Sequence, residues 1–143
     1  MNDERKATIL IVDDEPEIRK MLSRHFRFQG YAVFEAENGV KALEVLGKNR
    51  VEVVITDMMM PEMNGEELLR EIKNEYPMVQ RVVITGYVKL EFLLSALKYG
   101  ATTCVFKPLN DLSELEDAVA AAVRHLQHWQ KKFKELRGLI KGK

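Results

Sequence analysis

Five times along the chain a short, β-rich apolar run is followed by a segment with helical spacing. The runs are Ile9 to Val12, Tyr31 to Phe34, Val51 to Ile55, Val82 to Ile84 and Cys104 to Phe106. Strands that alternate with helices pair in parallel, because each crossover returns the chain to the same end of the sheet. A first helix is expected from Pro16, a residue suited to a first turn, with Ile18, Leu22 and Phe26 on one face and Gly30 at its end. A second runs from about Gly39 with Ala42, Leu43 and Leu46. A third follows Asn64-Gly65 with Leu68, Leu69, Ile72 and Tyr76. The fourth uses Leu90, Leu93, Leu94 and Leu97, and the fifth begins near Asp111. The central runs are apolar at nearly every position, as parallel strands covered on both faces must be. The expected fold is therefore an α/β, doubly wound five-stranded parallel sheet. A closed eight-fold barrel needs about 250 residues, and five units cannot close one.

The 143 residues suit one domain with an appendage. No apolar run approaches the roughly 20 residues that span a bilayer, and the polar start "MNDERK" has no secretory character. One cysteine, Cys104, excludes an internal disulfide and a cysteine-rich zinc site, which fits a reducing compartment. The expected location is cytoplasmic. A net charge of zero conceals an asymmetry: residues 124–143 carry seven Lys or Arg against one acid, leaving 15 basic and 21 acidic side chains in residues 1–123. Body and tail differ in kind.

In open parallel sheets, ligands bind outside the carboxyl ends of the strands. The residues at those ends are Asp13 and Asp14 after the first strand, Asp57 after the third, Thr85 after the fourth and Lys107 after the fifth. Three aspartates on one rim repel one another unless a cation neutralises them. Hard oxygen ligands without histidine or cysteine point to Mg²⁺, which keeps open positions for water and phosphate oxygens. The set thus suits phosphoryl chemistry, with a nucleophilic aspartate, Lys107 as a point charge and Thr85 as a hydroxyl donor. Flavin mononucleotide or dinucleotide binding would need a donor-rich glycine loop where this chain has Asp13-Asp14-Glu15-Pro16. A phosphatase of the haloacid dehalogenase type would want a second acid at the position of Met59.

The stretches "ILIVDDEPEIRKML", "EAENGVKALEVL", "VVITDMMMPEMNGEELL", "VVITGY" and "GATTCVFKPL", in this order, resemble the receiver domain of bacterial two-component response regulators. The resemblance covers about residues 7–123, giving a receiver domain at 1–123 and a basic, amphipathic helical extension at 124–143. It implies a flavodoxin-like (βα)5 fold with strand order 2-1-3-4-5 and an extended C-terminal helix. It implies Asp57 as the phosphoacceptor served by a histidine kinase or phosphotransfer protein, with phosphoryl transfer to and hydrolysis from Asp57 alone rather than turnover of an external substrate. Asp13, Asp14, Asp57 and the backbone carbonyl of Met59 match the Mg²⁺ ligands, Thr85 the switch hydroxyl and Lys107 the phosphoryl contact. The Lys107-Pro108 bond resembles one that is commonly cis in the family.

Cys104 stands where the family often has an aromatic that turns inward with the switch hydroxyl. A phosphorylation-independent, receiver-like interaction module is the alternative that this departure raises, and the intact acid set argues against it. Cys104 itself reads as a small apolar residue. Taken singly, Asp14 reads as a helix cap, Thr85 as a turn residue and Lys107 as a solvated loop lysine; only their shared rim reverses those readings. Met58, Met60 and Met63 read as packing rather than a copper site. Met59 and Tyr87 flank the rim and are expected to limit access of water to a phosphorylated Asp57. His25, His125 and His128 show no ligand spacing.

From Leu112 the apolar positions are Leu115, Val119, Ala122, Leu126, Trp129, Phe133, Leu136 and Ile140, spaced alternately by three and four, a heptad pattern. Only the first half is needed to cover the sheet; the rest would project about 25 to 30 Å. A parallel homodimeric coiled coil or linker, a helix folded back or docked on another protein, and an anionic surface for Lys131, Lys132, Lys134, Arg137, Lys141 and Lys143 are the competing readings. No recognised nucleic-acid-reading module accompanies the basic residues.

Overall fold

The computed structural model describes residues 6–86 and 89–142. Five strands alternate with five helices: β1 Thr8–Val12, α1 Pro16–Phe28, β2 Ala32–Ala36, α2 Gly39–Lys48, β3 Val53–Asp57, α3 Gly65–Glu75, β4 Gln80–Thr85, α4 Leu90–Lys98, β5 Thr103–Phe106 and α5 Ser113–Lys141. All strand pairs are parallel and the order is β2-β1-β3-β4-β5. Both the expected class and the expected order are therefore present.

Strand alternation divides the interior into layers, because successive side chains point to opposite faces. Ile9, Ile11, Val53, Ile55, Val82 and Ile84 pack on one face with Leu22 and Phe26 of α1 and Leu115 and Val119 of α5. Leu10, Val12 and Val54 pack on the other with Ala42 and Leu46 of α2 and Leu68 and Ile72 of α3. Every residue of β3 is buried, whereas edge strand β2 buries only Ala36 fully. The strand expected at Tyr31 to Phe34 begins one residue later and runs to Ala36, and Val51 precedes β3 rather than opening it.

Two local signals explain how α3 starts. Asn64 Oδ1 accepts from the Glu67 N–H at 2.9 Å and the Glu67 carboxylate accepts from the Asn64 N–H at 3.3 Å, a reciprocal cap that satisfies two otherwise orphaned donors. Gly65 then lets the helix abut the end of β3: its N–H donates to the Met58 carbonyl at 3.0 Å. A Cβ there would lie 2.6 Å from Met58 Cα and closer still to the Asp57 carbonyl oxygen. No other residue fits without moving the backbone that carries Asp57.

Helix α4 departs from the simplest reading of its leucines. Leu90, Leu93, Leu94 and Leu97 are 71, 43, 53 and 72% exposed. The inward positions are Phe92, Ala96 and Tyr99, which meet Met58, Leu69 and Val83. Helix α5 is one unbroken helix; burial of its seam ends at Leu126, and residues 127–142 are exposed. It does not fold back on the domain. Lys143 lies outside the described residues. Among those residues, no helix is long and apolar enough to cross a membrane.

Candidate functional site

The strand register assembles the rim. Val12 is level with Thr56, so Asp13 and Asp57 leave the sheet side by side; Asp57 is level with Ile84, and Thr85 with Phe106. The Lys107 N–H continues the ladder one residue further by donating to the Thr85 carbonyl at 2.9 Å. The Lys107–Pro108 peptide is cis, as the resemblance implied. The five residues expected at strand ends thus share one end of the sheet.

Asp57 is 4% and Asp13 0% exposed, an unusual placement for carboxylates without partners. Their compensation is Lys107. Its Nζ lies 2.8 Å from Asp57 Oδ2, 2.8 Å from Glu15 Oε1 and 3.1 Å from Asp13 Oδ2. The other Asp57 oxygen, Oδ1, accepts the Met59 N–H at 3.2 Å. Asp13 Oδ1 accepts the Glu15 N–H at 2.9 Å. Asp13 Oδ2, though near the ammonium, is off the hydrogen-bonding direction and is left as a buried carboxylate oxygen without a directed donor.

These contacts govern ionisation. Burial pushes the Asp13 carboxyl above its ordinary range, opposed by the Glu15 N–H and by Lys107, with the neighbouring Asp57 charge adding to the rise. For Lys107 burial acts downward but is outweighed by the carboxylates of Asp57, Glu15 and Asp13, so the ammonium is held charged more firmly than an ordinary lysine.

Asp13, Asp14, Glu15 and Asp57 each offer a carboxylate oxygen within 4.8 Å of the others. One ammonium cannot neutralise four acids, and the undirected Asp13 Oδ2 is the kind of oxygen that a hard divalent cation takes. The residues present therefore fit Mg²⁺. Beside them opens a hollow of about 400 Å³ lined by Asp14, Glu15, Asp57, Met59, Gly86 and Lys107, among others. A larger hollow, at the opposite end of the sheet near Lys6, Arg50, Glu52 and Arg124, has its acid already used: Glu52 accepts the Thr8 N–H and pairs with Arg50 at 3.5 Å.

Asp14 is exposed and does not cap α1, whose cap position is Glu15 and has no side-chain capping bond. Thr85 is 2% exposed at the end of β4. Met58 and Met60 are buried, Met63 is packed from the loop against the cluster that holds Met60, and Met59 alone of the four is substantially open, at 38%. Tyr87 lies outside the described residues, so its expected place beside the rim is not described. Cys104 is half-buried against α4 in a packing position, and burial raises its thiol, aided by the Glu114 charge. Glu15 was missed as a member of the constellation. The signal was present as the third acid in succession after β1, but spacing alone does not tell which of three consecutive acids turns toward the lysine.

The match to the response regulator receiver domain family covers residues 9–120. Sporulation initiation phosphotransferase F of Bacillus subtilis is 38% identical over 111 residues, which are 78% of this chain and 89% of that protein. Regulatory protein AtoC of Escherichia coli is 38% identical over 128 residues, 90% of this chain but only 27% of AtoC. The crystal structure of response regulator protein TrrA from Thermotoga maritima in complex with Mg²⁺ and BeF superposes with a TM-score of 0.74 at 32% identity, covering 82% of this chain and 99% of that one. With the family match and the fold in agreement, the chain belongs to the response regulator receiver domains, phosphoacceptors of two-component signalling rather than enzymes in the ordinary sense.

Proposed function

We propose that Asp57 is the phosphoacceptor of this receiver domain, loaded with the help of Mg²⁺ by a histidine kinase or phosphotransfer protein. The observation that carries the reading is the buried Asp57 carboxylate, held by Lys107 on one oxygen and by the Met59 N–H on the other, at the mouth of an acid-lined hollow. A carboxylate fixed in this way needs no reorganisation before attack. One of its oxygens attacks the phosphorus of a phosphohistidine or acyl phosphate. The bond from phosphorus to the leaving nitrogen or oxygen breaks, its electron pair departs with the donor, and an acyl phosphate forms on Asp57. Hydrolysis by water returns the carboxylate and inorganic phosphate, so the protein acts on its own side chain only.

Asp13, Asp14, Asp57 and the Met59 carbonyl are the residues proposed to hold Mg²⁺. When bound, the ion neutralises the acids and the phosphoryl oxygens. Lys107 supplies a second positive charge to the phosphoryl group, and Thr85 is the hydroxyl that answers it and biases the fold toward a partner-binding state. Met59, open at the rim, limits access of water and so lengthens the phosphorylated state. A phosphorylation-independent module has no use for this arrangement and is not favoured.

Residues 1–123 form the proposed receiver unit and residues 124–143 a basic helical extension. The extension's unpartnered seam of Trp129, Phe133, Leu136 and Ile140 supports pairing with a second copy. A cytoplasmic location accords with the single cysteine and with a kinase partner. In the assay, Mg²⁺-dependent labelling by acetyl phosphate is expected for the full chain and is expected to vanish in Asp57→Asn; undiminished labelling of that variant would sink the assignment. Sedimentation of the full chain beside Phe133→Lys/Leu136→Lys tests the pairing, since equal monomeric masses would remove it.

A further inference from the structure

Glu15 does something that neither its position nor the proposed metal set requires. It occupies the cap position of α1, yet its side chain makes no capping bond. Its backbone is anchored: the N–H donates to Asp13 Oδ1 at 2.9 Å and the carbonyl accepts the Arg19 N–H at 3.0 Å. From this fixed base the carboxylate reaches Lys107 Nζ at 2.8 Å, the same distance as Asp57. The three partners of the ammonium are not equivalent. Asp13 and Asp57 are buried, whereas the Glu15 side chain is 58% exposed and has water as an alternative partner.

We propose that Glu15 is a positioning residue for the phosphoryl site: its carboxylate holds the Lys107 ammonium beside Asp57 in the resting protein and competes with an incoming phosphoryl group for that cation. The inference rests on the phosphoacceptor reading of Asp57. A lysine has three N–H donors; here two are directed at Asp57 and Glu15, and the Asp13 carboxylate lies close by without a directed bond. A phosphoryl group on Asp57 brings several further anionic oxygens that compete for these donors, and Glu15 is the partner that can swing into solvent at little cost. Its charge also stays close to the phosphoryl oxygens. Both effects weaken the hold on the phosphoryl group, so neutralising Glu15 is expected to strengthen it. For a partly exposed pair the size is that of a surface ion pair, about two- to fivefold in affinity.

The test is titration of the full chain with beryllofluoride at saturating Mg²⁺, followed by fluorine resonance, for the wild type, Glu15→Gln and Glu17→Gln. Glu17 is exposed on α1 and is not among the carboxylates that meet Lys107, so its variant carries the same change of charge without the contact. Glu15→Gln is expected to bind beryllofluoride about two- to fivefold more tightly and to shift the side-chain nitrogen resonance of Lys107, while Glu17→Gln does neither. A role confined to starting α1 would leave that resonance unmoved. Unchanged or weaker binding by Glu15→Gln overturns the proposal, weaker binding with a lower Mg²⁺ affinity marking Glu15 as a metal ligand instead. Failure of the wild type to bind beryllofluoride would instead overturn the phosphoacceptor reading, and this proposal with it.

Discussion

Helices α3 and α4 are both leucine-rich and follow consecutive strands, yet they use their leucines in opposite ways. Leu68, Leu69 and Ile72 of α3 are wholly buried. The four leucines of α4 are largely exposed, Leu90 and Leu93 lining a hollow beside Met58 and Val83, and only Ala96 is fully covered. The sheet explains the difference. Helix α3 lies beside β3, whose residues are all buried, and packs on a broad apolar surface. Helix α4 lies toward the edge made by β5, where Phe92, Ala96 and Tyr99 suffice to cover Met58 and Val83. Apolar spacing thus identifies a helix but does not choose its inner face. That choice falls to whichever face fits the surface beneath, and the small Ala96 permits a close approach that a leucine would block.

The contrast can be broken most directly by truncating one residue from each helix. Ile72→Ala is expected to cost about 2–5 kcal/mol, lost burial plus a cavity, while Leu97→Ala stays within about 0.5 kcal/mol; denaturant melts of both decide it, and equal losses would mean that α4 packs its leucines after all. Next in size is Ala96→Leu, which overfills the contact with Met58, Leu69 and Val83 and is expected to cost about 1–3 kcal/mol. The starts of the two helices sharpen the comparison further. Asn64 caps α3, whereas Lys89 precedes α4 without a side-chain cap. Asn64→Ala should lose about 1 kcal/mol, and Lys89→Asn should raise the melting temperature by supplying the absent acceptor.

The smallest effect lies at the start of α5. The Asp111 carboxyl is held below its ordinary 3.8 because it accepts both the Ser113 hydroxyl and the Ser113 N–H. A lowered carboxyl contributes stability above its unfolded value, and that contribution is lost as pH falls through the folded one. Asp111→Asn is therefore expected to flatten the acid limb of the stability profile below about pH 4 and leave neutral pH little changed. A profile parallel to the wild type would show that these bonds do not persist in solution.

Much of the fold was legible in the sequence because its signals are local. Pro16, Asn64, Gly65 and Gly30 mark ends through hydrogen-bond and dihedral preferences that neighbouring residues settle. The continuous apolar run of β3 required cover on both faces. The candidate site was legible for a different reason: in a parallel sheet every strand delivers its next residue to the same end, so Asp13, Asp57, Thr85 and Lys107 needed only the order of elements to be brought together. The family resemblance added the strand order and the cis Lys107–Pro108 bond, which no local preference of these residues dictates. Glu15 was not legible, because its role depends on the direction of one flexible side chain.

By itself the sequence determined five strand–helix units, an acid rim with one lysine, and a seam running the length of α5. Tertiary structure alone decided that α4 turns its leucines to solvent, that burial on α5 stops at Leu126, and that Lys107 is shared between Asp57 and Glu15. The division follows from range. Periodicity and capping act over a few residues, whereas the inner face of a helix and the partner of a lysine depend on surfaces that residues distant in sequence build together. Lys107 meets Glu15 across 92 positions of chain, and only the assembled sheet brings them within reach.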